Sequence, residues 1–326
     1  MKRRHRRRFL QLAAGAAALP AMSRFGWTQS YPSRSVRIIV GLAAGGGTDI
    51  VARLIGQWLS ERLGQSFVIE NRPGAAGNVA TEAVVNAPAD GYTLLAVSPG
   101  AAINATLYDK LSFDFLRDMA PVAGLLRVAN VMAVTNTLPV RTVPEFIAYA
   151  KANPNRISYG SAGTGSSNHL SGELLKMMAG VPMVHVPYRG AAPALTDVIS
   201  GQVQLIFSSV TSTVEYIKAD KLRALAVTSL TRSEVLPELP PIADFVPGYE
   251  AINWWGIAAP KATAQDVIDK LNREINTAFA DPRIKARLFD LGGPPLAGSP
   301  AEFGKLIADE TEKWAKVIRA ANIKPE

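Results

Sequence analysis

Two glycine-rich segments of the sequence have the composition of loops that bind anions. Residues 41–48 (GLAAGGGT) follow the apolar run Val36–Val40 and lead into a helical pattern over residues 49–63. Residues 160–167 (GSAGTGSS) likewise follow an apolar stretch and precede a helical pattern. Consecutive backbone N–H groups at the start of a helix attract an anion through hydrogen bonds and through the helix dipole. Each segment could therefore hold a carboxylate or a phosphate group.

The residues in these segments argue against a nucleotide. The first segment matches the pattern Gly-x4-Gly-Lys-Thr at every position but one, because Gly47 stands where the lysine is required. Neither segment contains lysine or arginine, and neither fits Gly-x-Gly-x-x-Gly. Nucleotide sites usually place a cation on the phosphates. We interpret the two segments as carboxylate-binding loops, with ordinary strand-to-helix turns as the alternative.

The expected binding energies explain why two loops would be needed. A charge-assisted hydrogen bond contributes about 1.5–3 kcal/mol, and a helix terminus adds roughly 0.3–1 kcal/mol. A micromolar dissociation constant corresponds to about 8 kcal/mol, and the ligand also loses motion when it binds. One loop is marginal by this measure, whereas two loops that close on one small anion suffice.

Four further polar residues lie beside the predicted loops or at the ends of predicted strands. Asp49 either supports the start of the first helix or accepts an amine, and the helical role is favoured because an acidic first turn is stabilising. His169 could hydrogen-bond to the ligand or to the second loop, with the structural role favoured. Arg189 either pairs with a distal carboxylate of the ligand or lies exposed on the surface. Ser98 directly follows an apolar strand pattern.

Serine and histidine do not form the pattern of a hydrolase. Ser166 and Ser167 lie too close in sequence to His169 for a standard triad. Ser161 lacks the Gly-x-Ser-x-Gly elbow, because Tyr159 stands at the position of the first glycine. A zinc site is not expected either, since the sequence has three histidines and no cysteine. The sequence thus predicts no catalytic residue, no metal and no cofactor, and a serine hydrolase is the weakest alternative.

The predicted loops lie between alternating strand and helix patterns. Apolar runs predict strands at 36–40, 66–70, 92–97, 128–135, 157–159, 184–186, 203–207 and 224–228. Helical patterns cover 49–63, 78–86, 144–152, a stretch from about 168, 193–199, 264–280 and 300–321. Such alternation indicates a largely parallel sheet with helices on its faces. Ligands bind beyond the C-terminal ends of the strands in such sheets, where both glycine loops and residues 98–101 lie.

The N-terminal residues have the layout of an export signal. Residues 1–30 contain seven basic residues and no acidic one, and an apolar stretch follows the first basic cluster. The pair Arg6-Arg7, followed by RFLQ over residues 8–11, resembles the twin-arginine signal, with an ordinary Sec signal as the alternative. Thr28-Gln29-Ser30 provides a cleavage site of small residues. We therefore expect a mature exported chain that begins near Tyr31.

Removal of this segment changes the electrostatic argument. The formal net charge of +8 falls to +1 when the seven basic residues are removed, so the high isoelectric point belongs to the signal. A nucleic-acid partner is therefore not expected. The absence of cysteine excludes disulfides, and no second apolar stretch is long enough to span a bilayer. The remaining chain is long enough for two domains, and a periplasmic protein is favoured.

Five ordered motifs resemble those of the substrate-binding receptors of tripartite tricarboxylate transporters, the Bug-type family. They cover nearly all of residues 31–326, and Ala44 departs from the family, which often has proline there. The motifs are VRIIV with GGGTDIVAR from residue 45, ENRPGAAG with ADGYTLL from residue 89, YGSAGTGSS from residue 159, HVPYRG from residue 185, and WWG at 254–256 with the ending 304–326.

The resemblance implies a two-lobed α/β fold of the periplasmic-binding-protein type II (Venus flytrap) class, with mixed, mostly parallel sheets and two crossover strands. One lobe would comprise residues 31–130 and 251–326, the other residues 131–250. Carried over by motif, the ligand contacts would be Leu42, Ala43, Gly46, Gly47 and Thr48 in the first lobe, and Ser161, Gly165, Ser166, Ser167 and Tyr188 in the second. His185, Trp254 and Trp255 are expected to pack in the core or at the hinge.

The implied function is that of a monomeric periplasmic receptor that delivers a small carboxylate to a membrane permease of the tripartite type. A ligand-presenting accessory to a membrane sensor kinase has the same expected pocket and stays open as an alternative. Dicarboxylates, tricarboxylates, amino acids and aromatic acids all carry a carboxylate that two such loops can hold. The family is therefore expected, while the identity of the carboxylate stays open.

Overall fold

The computed structural model describes residues 31–320 and 322–325, and the predicted export signal over residues 1–30 lies outside them. The described part contains nine strands and eleven α-helices, numbered here in chain order. The strands are β1 (Val36–Val40), β2 (Phe67–Asn71), β3 (Thr93–Val97), β4 (Met119–Val134), β5 (Ser158–Ser161), β6 (Val184–Pro187), β7 (Leu205–Ser209), β8 (Arg223–Val227) and β9 (Ile252–Pro260). The helices are α1 (Gly47–Leu63), α2 (Asn78–Val85), α3 (Gly100–Leu107), α4 (Phe115–Asp118), α5 (Val143–Ala152), α6 (Ser167–Ala179), α7 (Ala191–Ile199), α8 (Val210–Lys218), α9 (Gln265–Ala278), α10 (Pro282–Asp290) and α11 (Pro300–Ala320).

The strands form a mixed sheet in the order β2-β1-β3-β9-β4-β7-β5-β6, with β8 also paired to β4. Strand β1 pairs parallel with β2 and β3, and β5 pairs parallel with β6 and β7. Antiparallel ladders join β9 to β3 and β4, and join β4 to β7 and β8. The predicted α/β class is confirmed, because strand–loop–helix units lie toward both ends of the sheet.

Strand β4 connects two halves of this sheet. It pairs with β9 up to Ala129, and from Asn130 onward with β7, while its pairing with β8 begins at Val131. We call β2, β1, β3 and β9 the first half, and β7, β5, β6 and β8 the second half. The hydroxyl of Thr228 fixes the change of partner, since it accepts from the N–H of Asn130 over 2.8 Å and donates to the carbonyl of Ala251 over 2.6 Å.

Most predicted elements lie within a few residues of the observed ones, and the misses have local causes. The first part of β4 was not predicted, because Pro121 and Gly124 interrupt its apolar pattern, and its register with β9 shifts beside both residues. Helix α8 (VTSTVEYIK) is rich in β-branched residues, which favour strands over helices. Helix α3 (GAAINATL) begins with glycine and has no side-chain cap.

A buried hydrophobic cluster extends beyond the second half. Besides residues such as Phe146 and Leu170, it includes Ile103 and Leu107 of α3 and Trp314 of α11. The two halves are therefore joined by packing as well as by β4. No described helix is both long and apolar enough to cross a bilayer.

Candidate functional site

A cleft lies where the loops after strands of both halves meet. Its walls are formed by the ends of β1, β3, β5 and β7 and by part of β9, which is the position expected for a ligand in an α/β sheet. The lining residues are Leu42, Gly46, Gly47, Thr48, Ala76, Ser98, Pro99, Gly100, Ala162, Ser166, Ser167, Asn168, Ala191, Ser208, Ser209, Ser212, Asn253 and Trp255. All of these side chains are uncharged.

Five helices present their N-terminal ends to this cleft. They are α1 at Gly47, α3 at Gly100, α6 at Ser167, α7 at Ala191 and α8 at Ser212. The first turn of a helix has N–H groups without intrahelical acceptors, and its dipole gives that end a partial positive charge. The cleft therefore combines backbone hydrogen-bond donors and a positive potential without a lysine or arginine on its wall.

Several of these helix N-termini have no side-chain cap, so their backbone N–H groups are available to a ligand. Helices α1, α3 and α7 have no side-chain cap at their N-termini. In α6 the hydroxyl of Ser166 accepts from the N–H of His169 over 3.3 Å, and in α8 the hydroxyl of Ser209 accepts from the N–H of Ser212 over 3.3 Å. The first turns of α1, α3 and α7 and the first two N–H groups of α6 thus receive no hydrogen bond from a capping side chain.

The first loop is held by a buried carboxylate that lies behind the cleft wall. Asp49 Oδ2 accepts from the N–H of Gly45 over 2.9 Å, and Asp49 Oδ1 accepts from Asn71 Nδ2 over 3.0 Å. The same Asn71 amide donates to the carbonyl of Leu42 over 3.0 Å. Arg53 pairs with both carboxylate oxygens, at 2.8 and 3.0 Å. Although burial raises the pKa of Asp49, its hydrogen bonds to Arg53, Gly45 and Asn71 hold that pKa below its ordinary value.

The second loop is held by a buried imidazole. His169 Nδ1 accepts from the N–H of Gly165 over 3.1 Å, which requires that Nδ1 carries no proton. Burial, together with smaller contributions from the neighbouring His185 and Lys176, lowers the pKa of His169 to about 3. The ring stacks on that of His185 with centroids 4.0 Å apart. His169 is therefore a neutral acceptor at any ordinary pH.

A buried hydroxyl on the cleft wall has no hydrogen-bond partner in the described part of the chain. Ser208 is fully buried in β7, and its Oγ makes no hydrogen bond to any of residues 31–320 and 322–325. The neighbouring Asn168 uses its amide on the carbonyl of Phe207. Because an unpaired buried hydroxyl costs free energy, Ser208 is suited to donate a hydrogen bond to a ligand.

The first glycine loop touches the segment that precedes α7. The N–H of Ala43 donates to the carbonyl of Arg189 over 3.1 Å. Outside this contact lies a second, open groove that shares Leu42, Ala76 and Ala162 with the cleft and is bordered by Tyr188 and Arg189. The cleft is thus covered, and the exposed Arg189 side chain lies at its outer side.

Comparison with known proteins identifies the chain. The model of the family described as tripartite tricarboxylate transporter family receptor matches residues 51–323. The chain belongs to this family. A curated relative from Pseudomonas sp. strain P51, the UPF0065 protein in the tcbD-tcbE intergenic region, is 38% identical over 291 residues, which are 89% of this chain and 87% of the relative. The protein BugT of Bordetella pertussis is 34% identical over 298 residues, with 90% of this chain and 91% of BugT covered.

Solved structures of similar proteins agree with this assignment. The receptor has a TM-score of 0.89 to R. palustris Rpa4515 with adipate, at 38% identity, with 91% of this chain and 100% of that chain covered. It has a TM-score of 0.84 to MatC (Rpa3494) from Rhodopseudomonas palustris with bound malate, at 30% identity, with 88% and 100% covered. The predicted family and the two-lobed fold are confirmed, and the receptor is a solute-binding protein rather than an enzyme.

The structure of the receptor brings half of the predicted contact residues to the cleft wall. Leu42, Gly46, Gly47, Thr48, Ser98, Ser166 and Ser167 line it. The other seven predicted residues do not line it; they are Ala43, Asp49, Ser161, Gly165, His169, Tyr188 and Arg189. Of these, Asp49 and His169 hold the loops from behind, and Tyr188 and Arg189 border the outer groove.

Ser161 and His185 take positions that the sequence did not suggest. Ser161 Oγ lies 2.6 Å from His185 Nε2 and accepts from the N–H of Gly163 over 3.1 Å. His185 was expected in the core, but it is only partly buried. This serine and histidine support the second loop of the receptor and do not face the cleft.

Several lining residues of the receptor were missed. Ser208 and Ser209 end β7, and the rule that ligands bind beyond strand ends could have found them after the predicted strand at 203–207. Asn253 and Trp255 lie within β9, and their approach to the loops depends on the pairing of β9 with β4 and β3. Trp255 was expected in the core or at the hinge; it is buried, but it also lines the cleft. No local sequence signal marks Asn253.

Proposed function

We propose that this receptor binds a small carboxylate in the cleft and holds it by backbone N–H groups and hydroxyls from both halves of the sheet. The observation that carries the proposal is the convergence of five helix N-termini on one uncharged cleft. Three charge-assisted hydrogen bonds near the upper end of about 1.5–3 kcal/mol each, with helix-terminus contributions of about 0.3–1 kcal/mol each, reach the roughly 8 kcal/mol of a micromolar complex.

The proposed contacts follow from the lining residues. We assign the carboxylate to the first turns of α1 and α6, at Gly47, Thr48, Ser167 and Asn168, and to the hydroxyl of Ser208. Leu42, Gly46, Ser98 and Ser166 would shape the walls beside it. Ala43, Ser161 and Gly165 would support the loops from outside the wall. Tyr188 and Arg189 would meet the part of a longer ligand that extends into the outer groove. Malate and adipate in solved relatives support a carboxylate as the ligand class.

The proposed lobes are residues 31–130 with 251–326, and residues 131–250. The change of strand partners between Ala129 and Asn130 supports the first boundary, and the contact of Thr228 with Ala251 lies at the second. A rotation about these two crossings would open the cleft, and the hydrogen bond between Ala43 and Arg189 would then break.

The proposed setting is the periplasm. An export signal over residues 1–30, removed near residue 30, would deliver the mature receptor there as a monomer. It would then pass its ligand to the membrane permease subunits of a tripartite transporter. The support for this step is the family itself.

A thermal-shift screen of residues 31–326 tests the proposed function. The panel contains small carboxylates, including malate and adipate, their amides, and nucleotides. A ligand at 100 times its dissociation constant adds about 2.7 kcal/mol to the free energy of unfolding. We expect at least one carboxylate to stabilise the receptor while its amide does not. Stabilisation by nucleotides alone, or by no acid in a broad panel, would refute the proposal.

A further inference from the structure

The two glycine loops have the same local construction. In the first, Gly45 has φ +82° and is followed by Gly46 at φ −80° and ψ 164°. In the second, Gly165 has φ +81° and is followed by Ser166 at φ −77° and ψ 159°. Each helix begins at the next residue, so both loops approach their helices along the same path.

The third helical residue completes this shared construction. Asp49 is the third residue of α1 and accepts the N–H of Gly45, four residues before it, over 2.9 Å. His169 is the third residue of α6 and accepts the N–H of Gly165, also four residues before it, over 3.1 Å. Since glycine with positive φ has many alternative conformations, this hydrogen bond selects the one from which the helix begins two residues later.

The two acceptors differ in charge, and in neither loop does an unpaired negative charge repel an anionic ligand. An uncompensated carboxylate in the first turn would cancel the positive end of the helix dipole at the ligand. In the first loop, Arg53 pairs with both oxygens of Asp49. In the second loop the nearby Lys176 pairs with Glu173 and not with the acceptor. The acceptor, His169, is itself neutral.

We propose that Asp49 and His169 are matched positioning residues, and that the neutrality of His169 and the pairing of Asp49 with Arg53 set the preference of the cleft for an anion. The proposal rests on the proposed carboxylate-binding function. Neither residue touches the ligand; each acts through the glycine N–H that it holds. The low pKa of His169 supports a neutral ring throughout the pH range of the test.

The groups around His169 decide how a charge introduced there would behave. His185 of β6 stacks on its ring, and Tyr159 of β5 lies beyond His185 with its hydroxyl on Glu173 at 2.6 Å. Glu173 and Lys176 belong to α6 and form an ion pair at 2.7 Å. A carboxylate at position 169 would therefore face the imidazole ring of His185.

The variants His169→Asn and His169→Asp form a matched pair that separates shape from charge. Both side chains place an oxygen where Asp49 places its own in the first loop, and they differ only in charge. We expect H169N to bind the carboxylate within about threefold of the wild type. We expect H169D to bind about tenfold more weakly than H169N at pH 8–9, with the ratio falling toward one at acidic pH as the introduced carboxylate takes up a proton. Titration calorimetry across this pH range gives the dissociation constants of both variants. Protonation of the ligand affects both constants equally and cancels from their ratio.

A control for overall charge is available in the same half of the sheet. Gln202 is exposed between α7 and β7, so Gln202→Glu adds a negative charge away from the loop and should leave the affinity unchanged. In the first half, Arg53→Gln should weaken binding about tenfold, while Arg62→Gln, on the same helix α1, should not. Arg62 pairs with Glu274 and lies in the last turn.

Amide hydrogen exchange provides a readout that does not depend on a ligand. The Gly165 amide should be protected in the wild type and in H169N, and should lose protection in His169→Ala. A ratio of H169D to H169N that stays near one at pH 8–9, or an unprotected Gly165 amide in the wild type, would overturn the proposal while carboxylate binding stands. If the wild type binds no carboxylate at all, the proposed function fails and this inference fails with it.

Discussion

The backbone N–H of Ala43 donates a hydrogen bond to the carbonyl oxygen of Arg189 over 3.1 Å, and it thereby joins the first glycine loop to the segment that precedes α7. Gly190, the residue before α7, lies against the same alanine. This contact covers the cleft from outside. The first glycine loop and the segment before α7 are therefore in an arrangement that could enclose a ligand.

The first prediction concerns Gly190→Ala. A Cβ at position 190 would lie 2.8 Å from Ala43 Cβ and 2.9 Å from Ala43 N, at a φ of +133° that other residues rarely adopt. The first glycine loop and the segment before α7 would have to separate, so we expect carboxylate affinity to fall at least about tenfold. Titration calorimetry measures this change.

Gly180→Ala is the matched control, because Gly180 also has a positive φ of +62°, but a Cβ added there would have no atom within 4 Å among its surroundings. Both variants should lose about 1 kcal/mol or more in the free energy of unfolding from backbone strain. Only G190A should lose affinity, and wild-type affinity in G190A would show that the contact with Ala43 does not matter for closure.

The second prediction concerns the unpaired hydroxyl of Ser208. Ser208→Ala removes a buried group without a partner in the described chain, so the unfolding free energy of the empty receptor should stay the same or rise by up to about 1 kcal/mol. Affinity for the carboxylate should fall about five- to tenfold, because one hydrogen bond to the anion is lost. Chemical denaturation and calorimetry give the two quantities.

Ser171→Ala serves as the comparison, since Ser171 is equally buried but its hydroxyl donates to the carbonyl of Ser167 over 2.7 Å and accepts from Asn130 Nδ2 over 3.2 Å. It should lose stability by about 1–3 kcal/mol. A loss of stability in S208A with unchanged affinity would mean that the hydroxyl supports the fold rather than the ligand.

The third prediction concerns acid stability. The pKa of His169 is lowered to about 3 in the folded receptor, from an ordinary value of 6.5. Between these values the unfolded chain binds a proton that the folded chain does not, so the free energy of unfolding falls as the pH drops below 6.5. The slope is about 1.4 kcal/mol per pH unit, or about 2 kcal/mol between pH 7.5 and pH 5.

The variant His169→Asn has no titratable ring at this position. Its free energy of unfolding should therefore lack the pH dependence that His169 contributes. Denaturant unfolding at pH 7.5 and pH 5.0 compares the two proteins, with His185 present in both. Equal losses in the wild type and in H169N would mean that His169 is not held neutral by the fold.

The sequence predicted the two loops because their signals are local. Residues 41–48 and 160–167 are marked by glycines between a short apolar run and a helical pattern. This signal does not depend on distant parts of the chain. The roles of Asp49 and His169 were only partly predictable, because Asn71 and His185, which fix their surroundings, come from strands that pair beside the loops.

The remainder of the cleft depends on contacts between distant parts of the chain. Asn253 reaches the site because β9 pairs with both β3 and β4. Helix α3 contributes Gly100 although its sequence has neither a cap nor a strong apolar face. Residues of this kind become visible only when the order of the strands in the sheet is known.

The most direct test of the central claim is a titration of the ¹⁵N-labelled receptor, residues 31–326, with the stabilising carboxylate, followed through the backbone amide resonances. We expect the amide protons of Gly47, Thr48, Ser167 and Asn168 to shift downfield as they donate to the carboxylate. The corresponding amide compound should not cause these shifts. Tight carboxylate binding that leaves all four amides unchanged would contradict it, because the anion would then be held by other groups.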